Sequence, residues 1–85
     1  MTISKIQSVQ PLEGKQLLVK FANGVGKIYD CNQLLHLEPF KVLQNEAFFR
    51  SVKVDPGGYG ISWNDDVDLS EDELWVNSKE TALVR

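Results

Sequence analysis

Asparagine followed by glycine at positions 23 and 24, between two stretches rich in apolar residues, constrains this chain more than any other feature in it. Both residues tolerate the positive φ angles of a type I′ turn, whose twist matches that of the strands it joins, so the pair predicts a β-hairpin. Gln16 to Ala22 alternates as the first arm, with Leu17, Val19 and Phe21 on one face and Leu18, Lys20 and Ala22 on the other. The Phe21 face is expected to be the core face. A two-residue loop pairs Phe21 with Gly26, Lys20 with Lys27, Val19 with Ile28 and Leu18 with Tyr29. Lys20 then faces a like charge, which costs stability unless water or a bound anion screens it.

The remaining segments extend this start. Ile3, Ile6 and Val9 before Pro11 predict an edge strand closed by proline, and Glu13-Gly14-Lys15 a turn. From Cys31 to Ser51 the apolar spacing widens to that of helices, and proline at position 39 divides them. The expected pieces are a single turn at Cys31 to Leu35, Pro39 to Gln44, and a further turn from Ala47 to Arg50. Val52 and Val54 read as a strand, Asp55-Pro56-Gly57-Gly58 as a turn, and Tyr59 to Trp63 as a second hairpin arm with Ile61 and Trp63 on one side. Ser70 with Glu73 three positions on is a capping box, so a last helix is expected to start there, its first turn carrying Glu71, Asp72 and Glu73. Beyond Asn77 no element is assigned, and the tail is expected to be loose. The sum is an α+β fold: a small antiparallel sheet of two hairpins, short central helices and a C-terminal helix.

With 85 residues, 42% of them hydrophobic and 25% charged, the chain has room and composition for one folded domain over residues 1–85. A lone cysteine excludes an internal disulfide, and the start of the chain lacks the pattern of a secretory signal. Apolar runs such as Leu17-Leu18-Val19 are far short of a membrane span. A cytoplasmic protein is expected. Charge is uneven: Met1 to Lys53 has seven basic against four acidic residues, Val54 to Arg85 two against eight. Such a split suits a partner of complementary charge, while a sequence pI near 5.0 speaks against binding nucleic acid.

No set of residues demands a particular chemistry. Cys31 and His36 are the only residues of their kinds, and a metal site needs three or four convergent ligands, so no metal or cofactor is expected. As a catalytic pair they lack an orienting residue and an anion hole, so no catalytic residue is assigned and the chain is read as a non-enzyme. The acidic run from Asn64 to Glu71 fails as a calcium loop, because starting at Asn64 puts Leu69 where glycine is needed and Trp75 where the bidentate glutamate belongs. Gly57-Gly58-Tyr59-Gly60 has neither the lysine nor the following helix of a phosphate loop. Trp63 and Trp75 are read as core residues in preference to base-stacking platforms. Asp65, Asp66 and Asp68, which the helix start does not explain, are the candidate partner-binding residues.

Taken in order, the hairpin at Phe21-Ala22-Asn23-Gly24, Asp30 before Leu34-Leu35, Pro39-Phe40, Leu43, Phe48 or Phe49, Val52, Tyr59-Gly60-Ile61-Ser62-Trp63, Asp68-Leu69-Ser70 and Leu74 resembles the bacterial domain of unknown function 2442 family, from about Ile6 to Val76. The resemblance implies a small α+β protein, often encoded beside another small protein in arrangements like toxin–antitoxin pairs. Some members continue into a helix-turn-helix, for which this chain offers no segment. The leading expectation is a protein-binding accessory module, antitoxin-like, whose partner is the product of a neighbouring gene or a second copy. The alternative is a small-ligand sensor or regulatory domain associated with transcription control, with its pocket between the sheet and the central helices.

Overall fold

A computed structural model describes residues 4–80. Its strands form two antiparallel sheets, so each predicted hairpin belongs to a sheet of its own. The first sheet has the order β1-β2-β3-β7, with β1 Ile6–Leu12, β2 Gln16–Phe21, β3 Gly26–Asp30 and β7 Lys79–Glu80. The second is β4-β5-β6, with β4 Lys53–Val54, β5 Gly60–Asn64 and β6 Val67–Ser70. Ile3, expected in the first strand, lies outside the described residues. Pro11 falls within β1, where it pairs with Leu17. An edge strand tolerates it because one side of such a strand needs no N–H donors.

The hairpin at Asn23-Gly24 forms one residue away from the expected register. Gly24 alone takes a positive φ there, +92°, and its N–H donates to the Phe21 carbonyl at 2.9 Å. The Phe21 N–H donates in turn to the Val25 carbonyl, giving a three-residue loop of Ala22, Asn23 and Gly24. The Asn23 side-chain oxygen accepts from the Val25 N–H, which favours this geometry over the two-residue turn. Lys20 therefore lies opposite Gly26 and Val19 opposite Lys27, so the expected Lys20–Lys27 pair is not made. Lys27 instead shares the core side with Val19. Its ammonium sits 4.1 Å from the Trp75 ring centroid and donates to the Trp75 carbonyl at 2.6 Å.

Both sheets turn their apolar faces to one core. Leu17, Val19, Phe21 and Tyr29 enter it from the first sheet, and Ile61, Trp63, Val67 and Leu69 from the second. Leu43 and Phe49 are supplied by the connecting segment, which contains 3-10 turns at Cys31–Leu34 and Phe40–Gln44 and the helix α1, Glu46–Phe49. The three predicted turns are thus present within a residue or so of their expected bounds. Asp30 and Asn45 start the first and last by accepting from the backbone N–H groups of Asn32 and Phe48. Trp63 stacks on Phe49 and donates from Nε1 to the Phe49 carbonyl at 2.8 Å, so its polar edge is satisfied inside the core.

The last helix, α2 (Glu71–Asn77), begins where the capping box predicts, with the Ser70 hydroxyl accepting from the Glu73 N–H at 3.2 Å. Only that arm of the box is made. The Glu73 carboxylate, expected to return to the Ser70 N–H, accepts instead from the Tyr29 hydroxyl at 2.8 Å and from Asn77 Nδ2 at 2.9 Å. Burial and the neighbouring Glu73 charge push the Tyr29 pKa well up, which keeps the hydroxyl a donor. Ser70→Ala is expected to destabilise the protein by about 1 kcal/mol in urea unfolding, the usual loss for such a cap. A change below about 0.2 kcal/mol would show that the hydroxyl contributes nothing to the helix start. Beyond Asn77, where no element was assigned, Lys79 and Glu80 pair with Ile28 and Lys27, and residues 81–85 lie outside the described residues.

Candidate functional site

The segment carrying Asp65, Asp66 and Asp68, to which no strand was assigned from the sequence, is a tight hairpin between β5 and β6. Asn64 closes it, its side-chain oxygen accepting from the N–H groups of Asp66 at 2.8 Å and Val67 at 2.9 Å. An asparagine that satisfies two successive N–H groups mimics a backbone turn, so β5 can reverse into β6 within two residues. Val67 and Leu69 then point into the core, and Asp68 and Ser70 point out. Asp65 and Asp66 occupy the turn and Asp68 the strand, opposite Ser62, which is itself opposite Lys53. All three aspartates are exposed, as is Asp72 in the first turn of α2.

Most other acids on the surface are already engaged. Glu71 pairs with Lys5 at 2.8 Å, and Glu46 with Lys15 and Arg50, each at 2.8 Å, so that the two cations hold the Glu46 carboxyl below its ordinary pKa. Asp55 accepts from the Ser62 hydroxyl. Among the described residues, the side chains of Asp65, Asp66 and Asp68 make no ion pair and no hydrogen bond. They form a patch of uncompensated negative charge at the end of the second sheet.

The other sequence candidates sit elsewhere. Cys31 is fully buried, and burial pushes its thiol up to about 12, which leaves it without thiolate character near neutral pH. His36 is exposed between the first two 3-10 turns, so the two residues do not share a site. Among the described residues, no group of three or more histidine, cysteine, aspartate or glutamate side chains could hold a metal ion. Trp63 is in the core. Trp75 packs against Phe21 with ring centroids 4.9 Å apart and ring planes at 86°, and the Lys27 ammonium lies 4.1 Å from its ring centroid.

The space between the first sheet and the short helices, where the alternative reading puts a ligand pocket, is filled by Tyr29, Cys31, Leu43 and Phe49, with Leu34, Phe40 and Phe48 packed against them. A polar cleft of about 560 Å³ lies instead beside β3 and β7, lined by Gln16, Asp30, Gln33, Asn77 and Lys79 among others. No helix among the described residues is long and apolar enough to cross a membrane.

Compared with known proteins, residues 6–80 match the model of a family described as protein of unknown function, DUF2442. The chain belongs to the DUF2442 family. The match runs from the first residue of β1 to the last of β7, so both sheets, the hairpin at Asn23-Gly24 and the acidic hairpin all fall within the DUF2442 segment. No curated protein and no solved structure matches the chain.

Asn64 is the residue of this site that sequence reasoning missed. The signal for it was present: Asn64-Asp65-Asp66 is a turn-forming run, and Val67-Asp68-Leu69-Ser70 alternates apolar and polar as a half-buried strand does.

Proposed function

We propose that this member of the DUF2442 family is a non-enzymatic, protein-binding accessory module whose contact surface is the acidic hairpin from Asn64 to Ser70. The reading rests on one observation: Asp65, Asp66 and Asp68 are exposed together at the end of one sheet, with no basic side chain among the described residues paired to them. A folded protein gains little from such a cluster, since like charges repel, whereas a basic partner gains encounter rate and orientation from it. The antitoxin-like role implied by the family resemblance is one form of this reading, in which the partner is the small protein encoded alongside.

The test is reversal of charge. A partner is first captured with the intact protein from the host and purified. Changing Asp65, Asp66 and Asp68 together to lysine is expected to slow its association at low salt at least tenfold, within the range over which steering alters on-rates. Thermal stability should change by less than that expected for a core substitution, because all three side chains lie in solvent. An unchanged association rate at low salt would remove the acidic surface from the reading and leave it as solvated surface.

A further inference from the structure

β6 is paired on one side only, and its hydrogen-bond phase can be read from its neighbours. The Glu71 N–H donates to the Tyr59 carbonyl at 3.0 Å, and the register places Gly60 opposite Ser70, Ile61 opposite Leu69 and Ser62 opposite Asp68. In an antiparallel ladder, hydrogen-bonded and non-hydrogen-bonded pairs alternate, so Tyr59/Glu71 and Ile61/Leu69 are the bonded pairs. The backbone groups of Asp68, and the N–H of Ser70, therefore point away from β5. No described strand lies on that side.

From this we infer that β6 accepts an added strand: an extended segment of a partner protein that carries lysine or arginine at alternate positions. The inference rests on the binding surface proposed above and specifies its chemistry. Side chains on the outer face of the second sheet run Lys53, Ser62, Asp68 across β4, β5 and β6. The next residue in that row belongs to the incoming strand, and a cation there sits directly beside Asp68, with Asp65 and Asp66 at the end of the same hairpin. Opposite charges on neighbouring strands attract and like charges repel, so the edge selects a basic segment and rejects an acidic one.

The same rule disfavours a second copy of this chain, because antiparallel pairing of β6 with itself centred on Asp68 sets the Asp68 of one copy against that of the other. A charge on a short edge strand ordinarily keeps strands away. Here it does so for all but a segment of complementary charge. Backbone bonds provide the attachment and alternating side chains the selection, as in other cases of strand addition.

The experiment uses the whole protein and a synthetic hexapeptide alternating lysine and valine, with the glutamate-for-lysine peptide as control. In low salt the lysine peptide is expected to slow amide exchange of Asp68 and Ser70 at least fivefold, while the Leu69 amide, already bonded to β5, stays as it was. The glutamate peptide should do neither. Asp68→Asn removes the charge alone, and Asp68→Pro removes the charge together with an N–H that the fold does not use. Asp68→Pro should bind the lysine peptide at least tenfold more weakly than Asp68→Asn.

Equal binding by the two folded variants would overturn the added strand. So would binding of the lysine peptide with unaltered exchange at Asp68 and Ser70, a result that leaves the acidic surface standing as a charge contact. Failure of the lysine peptide to bind at low salt overturns it as well. If the proline variant does not fold, the exchange measurement on the unaltered protein decides.

Discussion

Trp63→Ala is expected to lose most of the stability of this protein. The side chain is 5% exposed, stacks on Phe49 and donates to the Phe49 carbonyl, so truncation opens a cavity at the centre of the second sheet's inner face and leaves a buried acceptor unpaired. Large aromatic truncations in cores cost about 3–5 kcal/mol, and an orphaned buried acceptor about 1–3 more. A chain of 85 residues has on the order of 4–13 kcal/mol in total. The variant should therefore show a sharply lowered urea midpoint or no cooperative transition at all. Trp63→Phe keeps the ring contact and gives up the N–H, so it should fall between the variant and the parent. A loss below about 1 kcal/mol for the alanine variant would mean that Phe49 and its neighbours close over the gap.

The second large effect is expected at Gly58. Its φ is +75°, and a Cβ there would stand 2.6 Å from the Ile6 carbonyl oxygen and 3.0 Å from the Ile6 N. Backbone atoms in a strand cannot swing aside, so Gly58→Ala combines the left-handed penalty of about 1–2 kcal/mol with displacement of β1 from the turn before β5. The neighbouring Gly57 separates the two causes. It has φ +81°, but a Cβ on it meets only the exposed side-chain ring of Tyr59, which can shift more readily than a strand backbone. Gly57→Ala should thus cost about 1–2 kcal/mol, and Gly58→Ala at least about 2 kcal/mol more, in the same unfolding experiment. Equal losses would show that β1 is not held against this turn.

Much of this architecture was legible in the residues. The core face of β2, the second hairpin arm with Ile61 and Trp63 inward, the short turns after Cys31 and the helix start at Ser70 each follow from a local pattern that the fold keeps. What escaped was set by choices between local options of nearly equal cost. Asn23-Gly24 serves either a two-residue or a three-residue loop, and the bond from the Val25 N–H to the Asn23 side chain tips the balance to the longer one. One added residue moves every later side chain of β3 to the other face, which is why Lys27 was expected beside Lys20 and is found over Trp75.

The division into two sheets was hidden for a different reason. β6 is only four residues long, and its two inward side chains are separated by an aspartate in a run of acids that reads as loop. Strand β7 has two residues, too few for alternation to register. For the candidate site, the identity and exposure of Asp65, Asp66 and Asp68 could be read from composition and charge. Their arrangement could not, because it depends on pairing between β5 and β6 and on the Asn64 side chain.

Lys5, just ahead of the first strand, is bonded to Glu71, 66 positions further along, while its carbonyl accepts from the Ala22 N–H and its ammonium lies 4.1 Å from the Tyr59 ring centroid. Trp75 closes over Phe21 from the same late segment. A chain still emerging from the ribosome has made its first hairpin long before the residues that cover it exist. Until α2 is synthesised, Phe21 lacks the cover of Trp75, and the closing step must bring together segments 66 positions apart. The first sheet is therefore completed only once α2 is available, and until then its apolar face is open to chaperones and proteases.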